Sequence, residues 1–255
     1  MKVKSNNITS VSVILPTYNE AENIKDLITE TVVQIVDFGV TKIEVIVVDD
    51  DSPDLTWKVA SNVRSNRADV QIVRRTKDHG LTNSLNDGIR RAMHEVILWM
   101  DSDFSHPPEY IPQLLFMINQ GYDIAVNSRY VIGGGEDRAG KGGVLQLFLS
   151  KMLNWGVRFL LKPSFSDYTS GFVAVRREVF HVATLRGDYG EYFVDFIFRM
   201  LQRPDIHICE MPYIALPRRS GESKTGLNFF DYMRRGRKYI WTVVRLRFLT
   251  AKGAI

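Results

Sequence analysis

Residues 43–54 read Ile-Glu-Val-Ile-Val-Val-Asp-Asp-Asp-Ser-Pro-Asp. A run that is almost all Ile and Val marks a strand buried on both faces, as in a parallel sheet covered by helices. The carboxylates that follow it stand at the strand's carboxyl end, which is where an open parallel sheet binds its ligands. Outward in both directions the pattern repeats. Residues 11–16 form a second β-rich run, and residues 21–36 then carry Ile24, Leu27, Ile28, Val32 and Ile35 at helical spacing. Downstream the spacing predicts a helix over 55–66, a strand over 69–74, a helix over 81–93 and a strand over 96–100. Pro107-Pro108 opens a helix running to about residue 119, because proline is tolerated in a first turn. A strand over 122–127 closes this βαβα rhythm, which predicts a mostly parallel sheet with helices on both faces.

The chain has 255 residues, 33 Lys/Arg, 29 Asp/Glu and one cysteine. This is a globular balance, and it excludes collagen-like, disordered and disulfide-framework classes. The lone Cys209 has no internal partner and gives no argument for an oxidising compartment. The first ten residues are polar and lack the apolar stretch of a secretory signal, and no run approaches about 18 uncharged apolar residues, so a cytoplasmic protein without a spanning helix is expected. Net charge is +4, but residues 227–255 alone carry seven Lys/Arg and one Asp. Two regions are therefore expected: residues 1–226 as the α/β domain, and residues 227–255 as a basic amphipathic C-terminal segment, helical in spacing.

Three acidic groups fall just after predicted strands that should lie side by side: Glu20 within Pro16-Thr17-Tyr18-Asn19-Glu20, the cluster Asp49-Asp50-Asp51, and Asp101-Ser102-Asp103. One such cluster reads as a helix cap, whereas three together point to a cation that shares them. Asp101 and Asp103 are two apart, which on an extended chain places both carboxylates on one side. Hard oxygen ligands of this kind suit Mg²⁺ or Mn²⁺ completed by phosphate and water. His106 is read either as a further ligand or as a cap on the following helix. Residues 133–143 contain six glycines and read either as a surface loop or as a lid.

The ordered set of motifs resembles family 2 glycosyltransferases, and within them the dolichyl- and polyprenyl-phosphate mannosyltransferases. The resembling residues are Leu15-Pro16-Thr17-Tyr18-Asn19-Glu20, Val48 through Thr56, Met100 through Glu109, Ser128-Arg129-Tyr130, Asp167 through Phe172, and Arg218-Arg219-Ser220-Gly221-Glu222-Ser223-Lys224. The resemblance implies a GT-A fold and a nucleotide-sugar donor, GDP-mannose or UDP-glucose. It implies that Pro16, Tyr18 and Glu20 line the nucleotide pocket and that Asp49 and Asp50 hold base and ribose. Asp101 and Asp103 would face the metal and the donor diphosphate, with Ser105 or water completing the metal shell. Arg129, Ser150, Arg218, Ser223 and Lys224 would meet phosphate, the acceptor being a polyprenyl phosphate. The chain departs from the pattern at Asp51 and Leu55, which replace glycines. It departs again at Gln146, which stands where relatives carry a phosphate-binding Arg; Lys141 or Arg138 would substitute, or the acceptor differs.

A phosphate acceptor is already anionic near neutral pH and needs little help from a base. If the acceptor were a saccharide hydroxyl, a base would be required, and Asp195 or Asp167 are the candidates; Asp167 reads equally as a cap on the turn at Thr169. A lipid phosphate requires contact with a bilayer. Basic residues interleaved with aromatics over 227–249 suit an anionic membrane surface at the cytoplasmic face. The apolar stretch 144–161 reads as core packing or as a second interfacial helix. Nucleic-acid binding is the rival for the basic stretch, and the acidic cluster argues against it. A membrane-anchoring partner protein is compatible with the same ending.

Overall fold

The computed structural model describes residues 7–137, 143–221 and 229–252; for 143–150 and 229–235 it describes the backbone alone. Seven strands form one sheet: β1 (Ser10–Thr17), β2 (Lys42–Asp49), β3 (Asp69–Arg74), β4 (Val96–Trp99), β5 (Ile124–Ser128), β7 (Val173–Arg176) and β8 (Ile208–Pro212), in the order β3-β2-β1-β4-β7-β5-β8. A separate pair joins β6 (Gly135–Glu136) to β9 (Ile214–Ala215). Four of the six pairings in the main sheet are parallel, and only β7 runs against its neighbours β4 and β5. This is the α/β, mostly parallel architecture that the sequence pattern predicts.

Seven helices cover the sheet: α1 (Ile24–Asp37), α2 (Thr56–Ser61), α3 (Leu81–Arg91), α4 (Ile111–Asn119), α5 (Gly143–Leu160), α6 (Glu191–Leu201) and α7 (Phe229–Ala251). The decisive run in β2 divides between two cores. Val45 and Val47 pack with Leu27 and Ile28 of α1 and Leu114 of α4 on one face. Ile46 and Val48 join Leu85 of α3, Phe196 of α6 and Leu246 of α7 on the other. Each such side chain contributes about 1.5–3 kcal/mol on burial, so a strand that feeds both cores fixes the centre of the fold.

Several boundaries differ from the sequence reading. The helix expected over 55–66 is only Thr56–Ser61, because Leu55 before it takes a left-handed conformation (φ 63°) and the polar residues after it turn away. The helix expected from Pro108 begins as a single 3-10 turn, Pro108–Tyr110, before α4 takes over at Ile111. Strands β7 and β8 and helix α6 lie beyond the regular βα alternation and were not predicted. Part of the glycine-rich stretch 133–143 is strand β6; residues 138–142, including Arg138 and Lys141, lie outside the described residues. Helix α7 packs on α6 through Val243 and Leu246, so residues 229–252 lie against the domain.

Candidate active site

The order β2-β1-β4 brings the three acidic strand ends together, with β1 in the centre. Asp50 N donates to Thr17 O at the β1–β2 end (3.1 Å), and Ser102 Oγ donates to Pro16 O (3.0 Å), which ties the β4 end to β1.

After β4 the chain turns sharply. Residues 101–106 are not extended, and Phe104 has a positive φ of 66°. The period-two argument for Asp101 and Asp103 is therefore corrected: the turn, not a strand, brings them together. Asp101 keeps its side chain 53% exposed at the mouth of the recess. The protein around the carboxylate displaces part of its water and pushes its pKa above the usual range, and the Asp103 charge adds to that push. Asp103 is buried. Burial also pushes it up, but the Arg218 guanidinium and the Ser105 donors outweigh this and hold it below the usual range. Asp103 Oδ1 accepts from Ser105 N (2.9 Å) and Ser105 Oγ (2.6 Å), while Oδ2 pairs with Arg218 Nη2 (2.9 Å).

His106 does not cap the following helix. Its Nδ1 accepts from Asp101 N (2.9 Å), its ring stacks on Phe172 (5.0 Å between centroids), and Nε2 lies 3.9 Å from Asp101 Oδ2. Burial lowers its pKa in spite of the neighbouring carboxylates, and an Nδ1 that accepts a hydrogen bond leaves the ring proton of the neutral form on Nε2. The sequence signal for this role was only its position three residues after Asp103.

The two carboxylates expected at the nucleotide are held by their own neighbours. Asp49 is fully buried, and its oxygens accept from Thr17 Oγ1 (2.9 Å), Ser52 N (2.8 Å) and Ser52 Oγ (2.5 Å). Asp50 binds Arg75 Nη1 (2.5 Å), Ser84 Oγ (2.9 Å) and Gly80 N (2.7 Å). These carboxylates shape the β2 end and leave the open positions to half-buried Pro16 and to Tyr18, which is 42% exposed. Glu20 is buried and accepts from Asn23 Nδ2 (2.8 Å) and Arg218 Nη1 (2.7 Å).

Arg129, expected to meet phosphate, carries internal ion pairs in this structure. Its guanidinium is clamped by Asp167 (Nε to Oδ2, Nη2 to Oδ1, both 2.9 Å), by Thr169 Oγ1 (2.7 Å) and by Glu136 (3.2 Å). It still projects positive potential onto Asp101. Asp167 serves both this pair and the turn, accepting from Thr169 N (3.1 Å), so the base reading falls away and the cap reading holds. Asp195 is likewise buried between Arg199 (2.7 Å) and Arg245. The side chains of Gln146, Ser150, Ser223 and Lys224 lie outside the described residues.

Hard oxygens at Asp101, Asp103 and Ser105, with a guanidinium already drawn to them, fit a divalent cation and the phosphates that accompany it.

A family described as "Glycosyl transferase family 2" matches residues 12–183. The chain is 35% identical over 233 residues to a dolichol-phosphate mannosyltransferase of Pyrococcus furiosus, a match covering 88% of this chain and 62% of that protein; the chain thus spans under two thirds of that relative's length. It is 34% identical to a polyprenol monophosphomannose synthase of Mycolicibacterium smegmatis (87% of this chain, 83% of the relative). It is 30% identical to a dolichol-phosphate mannosyltransferase of Mycosarcoma maydis (88% and 76%). Among solved structures, glucosyl-3-phosphoglycerate synthase from Mycobacterium tuberculosis, crystallised with Mn²⁺, uridine diphosphate and glucosyl-3-phosphoglycerate, superposes with a TM-score of 0.69 at 19% identity, covering 93% of this chain and 79% of that one. Mannosyl-3-phosphoglycerate synthase from Rubrobacter xylanophilus gives 0.69 at 17% identity, covering 96% and 75%.

Proposed function

The chain belongs to glycosyl transferase family 2, and on that premise we propose that it moves a hexose, mannose or glucose, from GDP-mannose or UDP-glucose to a polyprenyl or dolichyl phosphate, with inversion at the anomeric carbon. The observation that carries this reading is the convergence of Asp101, Asp103, Ser105 and Arg218 at the β4 end. This is an oxygen seat for a cation beside a phosphate-binding fork.

Asp101, Asp103 and Ser105 would hold Mg²⁺ or Mn²⁺. Bound there, such an ion supplies charge neutralisation at the leaving diphosphate. The protein's own part is positioning and fixed charge. His106 holds the Asp101 backbone in place. Tyr18 and Pro16 border the side where a nucleotide enters. Arg218, with Lys224 and Ser223 beyond it in sequence, would recognise phosphate, as would Ser150 on α5. Arg129, locked on Asp167, adds positive potential from a set place. An acceptor that is already anionic needs no general base. That suits a site in which both carboxylates considered for the role, Asp167 and Asp195, are consumed by arginines. The alternative of a saccharide hydroxyl acceptor would need such a base.

Access to a lipid would come through two touching helices. On α5, Met152, Trp155, Phe159 and Leu160 are exposed, and on α7 so are Ile240, Trp241, Val244 and Phe248. Arg237, Lys238 and Arg247 accompany them. This amphipathic, basic surface suits peripheral attachment at the cytoplasmic membrane face, alone or beside a membrane-anchoring partner protein. Among the described residues no helix is long and apolar enough to cross a membrane.

The test is incubation with labelled GDP-mannose or UDP-glucose, Mn²⁺ and a polyprenyl phosphate. The proposal expects label in the organic phase and release of nucleoside diphosphate, both abolished in Asp103→Asn. Label that stays in water-soluble saccharide would transfer the assignment to the hydroxyl-acceptor alternative.

A further inference from the structure

Residues 216–221 run across the turn that follows β4 as a strap. Leu216 N donates to Ser105 O (3.2 Å) and Arg219 N to Asp103 O (3.0 Å). The Arg219 guanidinium lies 3.4 Å from the centre of the Phe104 ring. Ser220 Oγ donates to Asn23 Oδ1 (2.6 Å), and Asn23 Nδ2 donates to Ser220 O (3.3 Å). The strap backbone is therefore pinned on both sides of Arg218, while the Arg218 side chain reaches inward and bridges Glu20 (2.7 Å) and Asp103 (2.9 Å). With Ser105 on its other oxygen, Asp103 has both oxygens engaged. A cation that uses Asp103 competes with a guanidinium that already neutralises it.

We propose that Arg218 is a resident counter-ion of the metal seat, exchanged for the cation only when a diphosphate arrives with it. The inference rests on the reading of Asp101 and Asp103 as that seat. The exchange balances in charge: the Arg218–Asp103 pair and a cation–diphosphate pair become a cation–Asp103 contact and an Arg218–diphosphate pair. A buried carboxylate left without a partner is costly, and a cation taking Asp103 alone would leave Arg218 only Glu20 of its two acceptors, so each half of the exchange is less favourable alone than with the other. Metal and diphosphate then bind with positive coupling, and linkage makes the coupling the same in both directions. Because the strap is tied at Leu216, Arg219 and Ser220, the movement is confined to the Arg218 side-chain torsions. Arg218 is thus a specificity device that keeps the seat closed to free divalent ions.

The experiment measures Mn²⁺ binding to the full chain by electron paramagnetic resonance of free Mn²⁺, with and without GDP or UDP, in the parent, Arg218→Gln and Arg218→Lys. Circular dichroism checks that each variant is folded. The parent is expected to bind Mn²⁺ weakly alone and at least about fivefold more tightly with the matching diphosphate, the lower end of ordinary coupling. Arg218→Gln should bind Mn²⁺ alone at least about fivefold more tightly than the parent and lose most of the diphosphate enhancement. Arg218→Lys keeps the charge and should stay close to the parent, so it carries the test of coupling if the Gln variant does not fold. If the parent binds Mn²⁺ with diphosphate but Arg218→Gln shows no gain without it, or if the Lys variant shows no diphosphate enhancement, the counter-ion role is overturned and the metal seat stands. Failure of the parent to bind Mn²⁺ with either diphosphate would overturn the metal seat itself, and the inference with it.

Discussion

Asp167 shows how much one carboxylate can organise. It is fully buried, yet it accepts from the Arg129 backbone, from two guanidinium nitrogens and from Thr169. Burial pushes its pKa up, but Arg129 and these donors outweigh that and leave it lowered. A carboxyl lowered in the fold contributes stability that is complete above its unfolded value, near about 4, and is lost as pH falls through the folded value. Asp167→Asn should therefore cost about 3–5 kcal/mol at pH 7, the usual result of stranding one member of a buried pair. Urea titrations should show that cost shrinking below pH 4. A cost that did not change with pH would mean that the carboxylate charge is not what binds Arg129. At this scale the sequence was informative about residue type and poor about partners. The left-handed turns at Asp51 (φ 57°) and Leu55 (φ 63°) were legible as positions where glycine is the commoner choice. The Arg218–Glu20 pair was not, because its members lie 198 positions apart and no local pattern links them. The loop partners of Asp49 and Asp50 were hidden for a related reason. A carboxylate at a strand end looks the same in sequence whether it faces a ligand or its own loop.

Elements were easiest to read where periodicity was strong. Strands β1 to β4 and helices α1 and α3 follow from Ile/Val runs and 3.6-residue spacing, and their parallel order follows from the alternation. Strands β7 and β8 were lost because they break that alternation, β7 entering antiparallel between β4 and β5. Close packing of α3 on β1 gives a sharp test. A Cβ added at Gly88 would lie 2.5 Å from Ile14 Cγ2 and 3.1 Å from Ile14 Cδ1. Ile14 is fully buried, so it has no room to move. Gly88→Ala should destabilise by about 1–3 kcal/mol through overpacking. The double variant Gly88→Ala/Ile14→Ala should lose less than the sum of the two single losses, since the pair shares one space. Strict additivity in denaturant titrations would show that helix and strand do not meet at this point.

The proposed chemistry and the proposed attachment fall on different parts of one sheet-centred body. The acidic recess opens at the carboxyl ends of β1, β2 and β4, while α5 and α7 present exposed aromatics beyond β8 and α6. Helix α7 does two jobs by helical spacing: Tyr239, Val243 and Leu246 pack inward, and Ile240, Trp241, Val244 and Phe248 stay outside. Sequence reading identified the basic aromatic character of this helix, but only its contacts show which residues are spent on the core. If the outer residues attach the protein to a bilayer, flotation with vesicles rich in anionic lipid should recover the parent chain, more weakly at high salt. The variant Trp155→Ser/Trp241→Ser should remain unbound under the same conditions. Equal flotation of parent and variant would assign attachment to other residues.

The central proposal is that Asp101 and Asp103 form a seat for cation and diphosphate. The direct measurement is anomalous scattering from crystals grown with Mn²⁺ and GDP or UDP. The account predicts a manganese peak within coordination distance of both aspartates and of diphosphate oxygens, with Arg218 turned from Asp103 to phosphate. A diphosphate bound elsewhere, with Arg218 still paired to Asp103 and no manganese between the aspartates, would contradict it.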